Sequence, residues 1–183
     1  KEDDTHTLGG DWHTDQMFTA VPALATMLYA KETPPAGGDT LFANMYLAYE
    51  SLSGAMKAML ADAHTVNSYT KNKGRAAAMK NDYSDGEPEE YVHPLFRTHP
   101  ETGRKTLYLS YKGVTRRIDG LTNAESEPIL DFLMSHATRP EFTCRFSWEP
   151  GSLCVWDNRS VMHLAVNDYH GYRRVMHRLT IEG

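Results

Sequence analysis

The hydrophobic residues of this chain fall into short runs that are separated by turn residues, a pattern typical of β-rich proteins. Residues 23–31 form a compact apolar run between Pro22 and the turn sequence at 33–38. This run predicts a buried strand, although its Ala, Leu and Met content leaves a helix open. Residues 161–166 are a candidate strand, and three similar runs near the end of the chain predict strands at residues 142–148, 153–156 and 174–181.

Helical patterns are fewer and shorter than the strand patterns. Asn44 and Ser53 are suited to cap two short helices, predicted over residues 45–51 and 54–61. Their side-chain oxygens can accept hydrogen bonds from the free N–H groups at a helix start. We expect both helices to cover the outside of a sheet.

A capping-box pair and a hairpin pattern complete the predicted elements. Thr122 and Glu125 have the spacing of a capping box, which predicts a helix from this point to about His136. Residues 97–111 predict a hairpin whose turn lies at residues 100–104, because apolar residues alternate with polar ones after the turn.

Many short strands and few helices together predict the class of fold. The pattern favours a mainly β protein with flanking helices, built as a jelly roll or double-stranded β-helix. With 183 residues, of which 40% are hydrophobic, the chain has the size of a single domain over residues 1–183. Residues 71–90 are polar and contain Gly and Pro, which predicts a long loop of the kind that closes over a site as a lid.

The net charge and the length of the longest apolar stretch limit the kinds of partner that we expect. A net charge of -5 argues against nucleic acid as the main partner, because phosphate binding needs a basic surface. The longest apolar stretch, around residues 21–30, is too short to cross a bilayer, and no charged and then apolar leader opens the chain. We therefore expect a cytoplasmic protein with no membrane partner. Cys144 and Cys154 are interpreted as reduced core residues, because two cysteines do not form a disulfide framework.

Three residues have the chemistry of a metal site. His13 and Asp15 are two residues apart, so in an extended segment both side chains leave on the same face. His163 offers a second imidazole. Two histidines and one carboxylate on one face of a metal are typical of non-haem Fe(II) oxygenases. The His-x-acid pattern alone is weak evidence, because it recurs at residues 99–101 in what is predicted to be an ordinary turn.

Polar residues near these candidates indicate recognition of anions. Thr40 follows the tight turn Gly-Gly-Asp, and Arg174 and Arg178 lie four residues apart on a predicted strand and so on one face. Two other classes remain open at this point. A cupin-like metal-binding protein without oxygenase activity would use the ligands but not the arginines, and a Zn(II) hydrolase could activate water at the same three residues.

Five motifs carry a resemblance to a known family. They are Trp-His-Thr-Asp at 12–15, Gly-Gly-Asp-Thr-Leu at 37–41, residues 94–100, Trp-Asp-Asn-Arg at 156–159 and Arg-Arg-Val-Met-His-Arg at 173–178. In this order they resemble the TauD/TfdA family of Fe(II)- and 2-oxoglutarate-dependent dioxygenases, and the resemblance covers nearly the whole chain. Family members carry a substantial segment before the first motif, whereas twelve residues precede His13 here. We therefore expect a fragment that lacks its N-terminal portion.

The resemblance implies a role for each candidate residue. It implies that His13, Asp15 and His163 bind Fe(II). It also implies that Thr40 and Arg174 hold the distal carboxylate of 2-oxoglutarate, and that Arg178 contacts an anionic group of the substrate. A guanidinium group suits such anions because it can donate two parallel hydrogen bonds. By contrast, Asp157 and Asn158 are interpreted as turn residues.

The resemblance further implies an oxidative reaction with dioxygen and 2-oxoglutarate as co-substrates. A small organic anion, namely a sulfonate, an alkyl sulfate or a phenoxyalkanoate, would be hydroxylated at the carbon next to its heteroatom. The hydroxylated product would then collapse to a carbonyl compound and release sulfite, sulfate or a phenol, while 2-oxoglutarate would be converted to succinate and CO2. Gly9 and Val114 stand where taurine-specific members have asparagine and phenylalanine, so a wider pocket is expected and taurine is one candidate only. The resemblance gives a weak expectation of a homo-oligomer.

Overall fold

Eleven strands and three α-helices make up the regular structure of residues 9–69 and 89–183, the part of the chain that this computed structural model describes. The strands are β1 Ala25–Glu32, β2 Thr40–Asn44, β3 His64–Asn67, β4 Tyr91–Pro94, β5 Phe96–Thr98, β6 Lys105–Leu107, β7 Thr115–Ile118, β8 Thr143–Phe146, β9 Leu153–Asp157, β10 Val161–Ala165 and β11 Val175–Ile181. The helices are α1 Met45–Glu50, α2 Gly54–Met59 and α3 Asn123–Ala137.

The last four strands alternate between two antiparallel sheets. One sheet has the order β11-β1-β9 and the other has the order β10-β2-β8. Each connection from β8 to β11 therefore crosses from one sheet to the other, which is how a double-sheet jelly roll winds. Strands β4-β3-β7 and the hairpin β5-β6 form two smaller sheets. The predicted jelly roll with flanking helices is confirmed.

Most predicted elements are present, and the short polar strands were missed. The run at residues 23–31 is β1, and Asn44 and Ser53 cap α1 and α2 by accepting backbone hydrogen bonds, as predicted. The capping box of Thr122 and Glu125 is complete at the start of α3. Strands β2, β3, β4 and β7 were not predicted, because each has three to five residues and mixes polar with apolar side chains.

The main apolar core lies between the helices and the β10-β2-β8 sheet. Helix residues such as Ala48 and Leu133 pack there against Met162 of β10, and all three are 0% exposed. Neighbouring residues of a strand point to opposite faces. Because Met162 enters this core, His163 must face the interior between the two sheets.

Two expectations need correction or lie beyond the described residues. The prediction that Cys144 and Cys154 belong to the core is wrong, because Cys144 is exposed and Cys154 is only partly buried. Both lie on edge strands, β8 and β9, which have a neighbour on one side only. The predicted loop at residues 71–90 falls outside the described residues except for its last two. None of the helices in the described ranges has the length and apolar character needed to cross a membrane.

A cluster of charged side chains joins the β5–β6 turn to the β9–β10 turn. His99 donates a hydrogen bond to Asp157 Oδ2 at 2.9 Å, and Arg159 donates to both oxygens of Asp157 at 2.9 and 2.6 Å. Arg159 also donates to Glu101 at 3.0 Å. Burial by itself would raise the pKa of Asp157, but the hydrogen bonds from Arg159 and His99 outweigh it and lower this pKa to about 2. The cluster thus anchors the turn that leads into β10 and to His163.

We predict that Asp157→Asn lowers the free energy of unfolding by about 2 kcal/mol near neutral pH. The pKa of Asp157 is lower in the folded chain than its ordinary value of 3.8. Its carboxylate therefore stabilises the fold above that value, and this contribution is lost as the pH falls towards about 2. Urea unfolding at several pH values should show the gap between wild type and variant closing in acid. The control is Asp131→Asn, which breaks an exposed pair with Lys112 and should cost less than about 0.5 kcal/mol. A gap that is independent of pH would contradict the prediction.

Candidate metal and anion site

Two backbone hydrogen bonds tie the first motif directly to β10. The N–H of His13 donates to the carbonyl of His163 at 3.0 Å, and the N–H of His163 donates to the carbonyl of His13 at 2.9 Å. The N–H of Ala165 donates to the carbonyl of Gly9 at 2.9 Å and extends this pairing. Two segments from opposite ends of the chain are therefore held as neighbouring antiparallel strands.

This pairing brings the three candidate ligands together. His13, Asp15 and His163 each offer one ligand atom, and these atoms lie within 4.8 Å of one another. Nε2 of His13 is 3.6 Å from Oδ1 of Asp15, and Nε2 of His163 is 3.8 Å from Oδ2 of the same carboxylate. Asp15 and His163 are buried. The donor set is the one that the sequence predicted, and its role as a ligand set stays a prediction.

The protonation states of these residues suit a cation. Nδ1 of His13 lies 2.7 Å from the carbonyl of Asp11. Because a carbonyl oxygen only accepts hydrogen bonds, Nδ1 carries a proton, and Nε2 is the ring nitrogen that can serve as a metal ligand. Burial lowers the pKa of His163 to about 3, with His13 and Arg178 acting in the same direction, so this imidazole is neutral near pH 7. Burial alone would raise the pKa of Asp15. The two neighbouring imidazoles, the guanidinium of Arg178 and a hydrogen bond from Thr26 together outweigh burial and lower the pKa of Asp15.

Arg174 is partly buried, and two of its guanidinium nitrogens are unsatisfied donors. Its Nε and Nη2 atoms are buried and have no hydrogen-bond partner among the described residues. The guanidinium carbon lies 5.9 Å from the ring centre of Trp148 and 5.8 Å from that of Tyr169. Burial lowers the pKa of Arg174, as expected for a cation held in a partly dry cavity. Such a group is costly unless an anion pairs with it.

Thr40 lies in the same cavity, and a hydrogen bond fixes the orientation of its hydroxyl group. The indole N–H of Trp148 donates to Thr40 Oγ1 at 3.0 Å. Because the Thr40 oxygen already accepts this bond, its own proton is available to an acceptor in the cavity. Both Thr40 and Arg174 line a cavity of about 560 Å³ that also contains the His13, Asp15 and His163 side chains. A carboxylate at Arg174 and Thr40 would meet three or more donors.

The Gly-Gly pair before Thr40 makes room for this arrangement. Gly37 and Gly38 have φ values of +79° and +71°, which side chains rarely adopt. A Cβ at Gly37 would lie 2.5 Å from Oδ1 of Asp168, and a Cβ at Gly38 would lie 3.1 Å from Cδ of Arg174. Asp168 in turn accepts a hydrogen bond from the N–H of Gly38 at 2.7 Å. The glycines therefore allow the close approach of two loops around Arg174.

Arg178 lies on the cavity face of β11, as its spacing from Arg174 predicted. Nη2 of Arg178 is 2.8 Å from Oδ1 of Asp15, so this guanidinium contacts the candidate metal carboxylate directly. Met176 and Thr180, which share its strand face, also line the cavity, whereas His177 does not. The strand alternation inferred from the sequence is therefore correct, and the role of Arg178 in substrate binding stays a prediction.

The rest of the cavity wall is largely apolar and aromatic. Phe18 and Tyr69 lie in it with ring centres 5.0 Å apart. Gly9 and Val114, the two positions for which the resemblance implied a departure from taurine-specific members, both line the cavity. An additional Cβ at Gly9 would lie 2.9 Å from Cε1 of His13, so this position keeps space beside the candidate ligand.

Sequence reasoning missed three side chains behind the site. The sequence pattern assigns no role in the site to Trp148, indicates that Asn158 is a turn residue and places Thr26 in an apolar run. The structure places Trp148 against Thr40, Asn158 against Thr26 and Thr26 against Asp15. A polar residue within the apolar run was the one available signal for Thr26. The contact partners are far away in sequence, so spacing could not identify them.

Comparison with known proteins assigns the chain to a family. A family model described as "Taurine catabolism dioxygenase TauD, TfdA family" matches residues 1–180. The chain is 35% identical to an alpha-ketoglutarate-dependent sulfonate dioxygenase of Saccharomyces cerevisiae, covering 91% of this chain and 40% of that protein. It is 33% identical to an alkylsulfatase of Acinetobacter baylyi, covering 94% of this chain and 56% of that protein.

A solved structure gives the same result for the fold. The structure of AAD-2 in complex with Mn(II) and N-oxalylglycine superposes with a TM-score of 0.83 at 35% identity, covering 96% of this chain and 69% of that one. The chain thus has the jelly-roll fold of the TauD-type dioxygenases. The chain belongs to the TauD/TfdA family, and it spans about half the length of the curated relatives that it matches.

We predict that Gly37→Ala destabilises the chain by at least about 1 kcal/mol more than Gly103→Ala. Both glycines have a positive φ, but a Cβ at Gly103 would meet no atom within 4 Å, whereas one at Gly37 would collide with Asp168. Gly103 therefore controls for backbone strain alone. Urea unfolding of the two variants measures the difference. Equal losses would show that the close approach to Asp168 is not needed.

Proposed function

We propose that this chain forms the site of an Fe(II)- and 2-oxoglutarate-dependent dioxygenase that hydroxylates a small organic anion. The observation that carries the proposal is the partly buried Arg174, two of whose buried nitrogens have no hydrogen-bond partner among the described residues, in the same cavity as two histidines and a carboxylate. A metal site alone does not require a buried cation nearby. An anionic co-substrate that also reaches the metal does require such a cation. A 2-oxo dicarboxylate is an anion of this kind.

His13, Asp15 and His163 would hold the metal in this proposal. Two imidazoles and one carboxylate are the donor set of non-haem Fe(II) oxygenases and leave positions open for other ligands. Nε2 of His13, whose Nδ1 faces the carbonyl of Asp11, and the neutral His163 would offer two nitrogen ligands to a cation. A hydrolytic Zn(II) site could use the same three ligands, but it would leave Arg174 without a role.

The protein contributes positioning rather than acid–base chemistry. Iron and 2-oxoglutarate, when bound, supply the oxidation of a C–H bond by dioxygen. Arg174 and Thr40 would hold the distal carboxylate of 2-oxoglutarate. Arg178 would hold the anionic group of the substrate, so that the neighbouring carbon faces the metal. The aromatic wall with Phe18 would exclude water from the site.

The cavity favours a substrate larger than a small aminosulfonate. Gly9 and Val114 contribute little volume and no polar group to its wall. Phe18 and Tyr69 add apolar surface. We propose a sulfonate, an alkyl sulfate or a phenoxyalkanoate, hydroxylated next to its heteroatom and then split into a carbonyl compound and sulfite, sulfate or a phenol. The names of the yeast and Acinetobacter relatives agree with the first two.

We also propose that the protein acts in the cytoplasm as a homo-oligomer. The support for the oligomer is the outward face of the β11-β1-β9 sheet, where Leu153, Val155 and Leu179 are each more than half exposed. Cross-strand pairing places Val155 and Leu179 on either side of Met27, so they form one patch. Both cysteines are free, as expected in a reducing compartment.

The enzymatic proposal predicts different defects for Arg174→Gln and Arg178→Gln. Each loss of a charge-assisted hydrogen-bond donor should raise a KM by about tenfold or more. Arg174→Gln should raise the KM for 2-oxoglutarate, and Arg178→Gln should raise the KM for the anionic substrate. Succinate formation by the purified protein with Fe(II), 2-oxoglutarate and a panel of sulfonates, alkyl sulfates and phenoxyalkanoates measures both.

Arg173→Gln is the matched control, because Arg173 is exposed and pairs with Glu32 rather than lining the cavity. It should leave both KM values unchanged. Failure of the wild-type protein to form succinate with any anion of the panel would contradict the proposed activity. A common effect of both cavity variants on one KM would contradict the assignment of the two arginines.

The proposed association predicts that Leu179→Lys lowers the mass of the particle in sedimentation velocity. A buried lysine would be left without a partner in an interface built on this face. Phe132→Lys is the control, since Phe132 is similarly exposed but lies on α3. A wild-type protein that sediments as a monomer at micromolar concentration would refute the oligomer.

A further inference from the structure

A directed chain of buried hydrogen bonds ends at the candidate metal carboxylate. The indole N–H of Trp156 donates to Oδ1 of Asn158 at 3.1 Å, and Nδ2 of Asn158 donates to Oγ1 of Thr26 at 3.0 Å. The hydroxyl of Thr26 then donates to Oδ2 of Asp15 at 2.6 Å. Thr26 and Asn158 are both 0% exposed.

The direction of each bond in this chain is fixed by chemistry. An indole nitrogen can only donate, so the Asn158 atom beside it must be the oxygen, and the amide nitrogen must face Thr26. The hydroxyl of Thr26 has one proton. Because its oxygen accepts from Asn158, that proton is committed to Asp15. An ionised carboxylate is an acceptor only, so the chain ends there.

The two oxygens of Asp15 have different partners at the end of this hydrogen-bond chain. Oδ2 accepts the short bond from Thr26, whereas Oδ1 faces the cavity, 3.6 Å from Nε2 of His13 and 2.8 Å from Nη2 of Arg178. Oδ2 is thus held from behind by Thr26, and Oδ1 is the oxygen that already faces a cationic group, the guanidinium of Arg178. The bond also prevents the carboxylate from rotating about its Cβ–Cγ bond.

The residues of this hydrogen-bond chain also contact both sheets. Thr26 lies on β1 opposite Trp156 of β9, and the N–H of Asn158 donates to the carbonyl of Leu24 at 2.9 Å. The Trp156 ring lies 4.7 Å from the ring of His163, centre to centre. Asn158 therefore connects the turn that precedes β10 with the strand that supports Asp15.

We propose that Thr26 and Asn158 are positioning residues for Asp15, which hold its carboxylate ready to bind a divalent metal through one oxygen. This inference rests on the proposed function, since it assigns Asp15 as a ligand. Neither residue lines the cavity, so their effect on metal binding must pass through Asp15. Loss of such supporting hydrogen bonds typically costs about 10- to 100-fold in metal affinity.

The experiment measures the affinity of Co(II) alone by calorimetry, together with its visible absorption as a report on coordination. Thr26→Val keeps the shape but removes the hydroxyl, and it should weaken Co(II) binding by about tenfold and alter the absorption band. Thr26→Ser keeps the hydroxyl and should stay within about threefold of wild type. Asn158→Leu should weaken binding by a smaller factor, because Thr26 remains.

A double variant tests the order of the chain. If Asn158 acts through the Thr26 hydroxyl, Thr26→Val combined with Asn158→Leu should bind Co(II) no more weakly than Thr26→Val alone. Thr106→Val is the matched control, because Thr106 is equally buried and its hydroxyl donates to the Arg159 carbonyl at 3.0 Å, away from the cavity. It should lower the unfolding temperature and leave Co(II) affinity unchanged.

The outcomes distinguish a failure of the positioning role from a failure of the proposed function. Folded Thr26→Val with wild-type Co(II) affinity overturns the positioning role, and additive losses in the double variant overturn the order. Should Thr26→Val fail to fold, wild-type affinity in Asn158→Leu overturns it instead. A wild-type protein that binds no Co(II) contradicts the proposed function itself, whereas normal binding by wild type together with unchanged variants contradicts only this inference.

Discussion

The pair of backbone hydrogen bonds between His13 and His163 is the constraint on which the site depends. It aligns two segments from opposite ends of the chain, so that both imidazoles leave the pairing on the same side. Strand alternation then brings Asp15, two residues further on, to that side as well. Because backbone atoms make this contact, the side chains that meet there are free for chemistry. The jelly roll supports the pairing by enclosing β10 between the helical core and the cavity.

The same architecture maintains polar groups that would be unfavourable in isolation. Arg174 has two buried nitrogens without a hydrogen-bond partner in the described part of the chain, and His163 is kept neutral by burial. These costs are offset by packing elsewhere, for example by the apolar core beneath Met162. Around the cavity, the loops carrying Asp39 and Asp168 are joined through Arg145 by hydrogen bonds. The carboxylates of Asp39 and Asp168 are therefore hydrogen-bonded to Arg145, while Nε and Nη2 of Arg174 have no hydrogen-bond partner among the described residues.

Local patterns in the sequence were enough to predict the helices, their caps, β1 and the strands near the end of the chain. They also predicted the faces of Arg174 and Arg178, because alternation along a strand is a local property. The sequence alone could not predict β2 or β3, which are short, partly polar and stabilised by partners distant in sequence. For the same reason the chain from Trp156 through Asn158 to Thr26 was missed. Its members share no motif and meet only when β1 pairs with β9.

Strand geometry is compatible with the proposed binding of two anions, one at Arg178 on β11 and one at Arg174 immediately before it. Four residues along a strand span about 13 Å, so the Cα atoms of Arg174 and Arg178 are far enough apart to hold two separate anionic groups. Met176 lies between them on the same face and also lines the cavity. The candidate metal residues face this stretch from the other sheet. His13, Asp15 and His163, which would hold the metal, therefore face the stretch between a carboxylate that Arg174 would bind and an anion that Arg178 would bind. A helix would have brought residues at this spacing to about 6 Å, which is too close for that division.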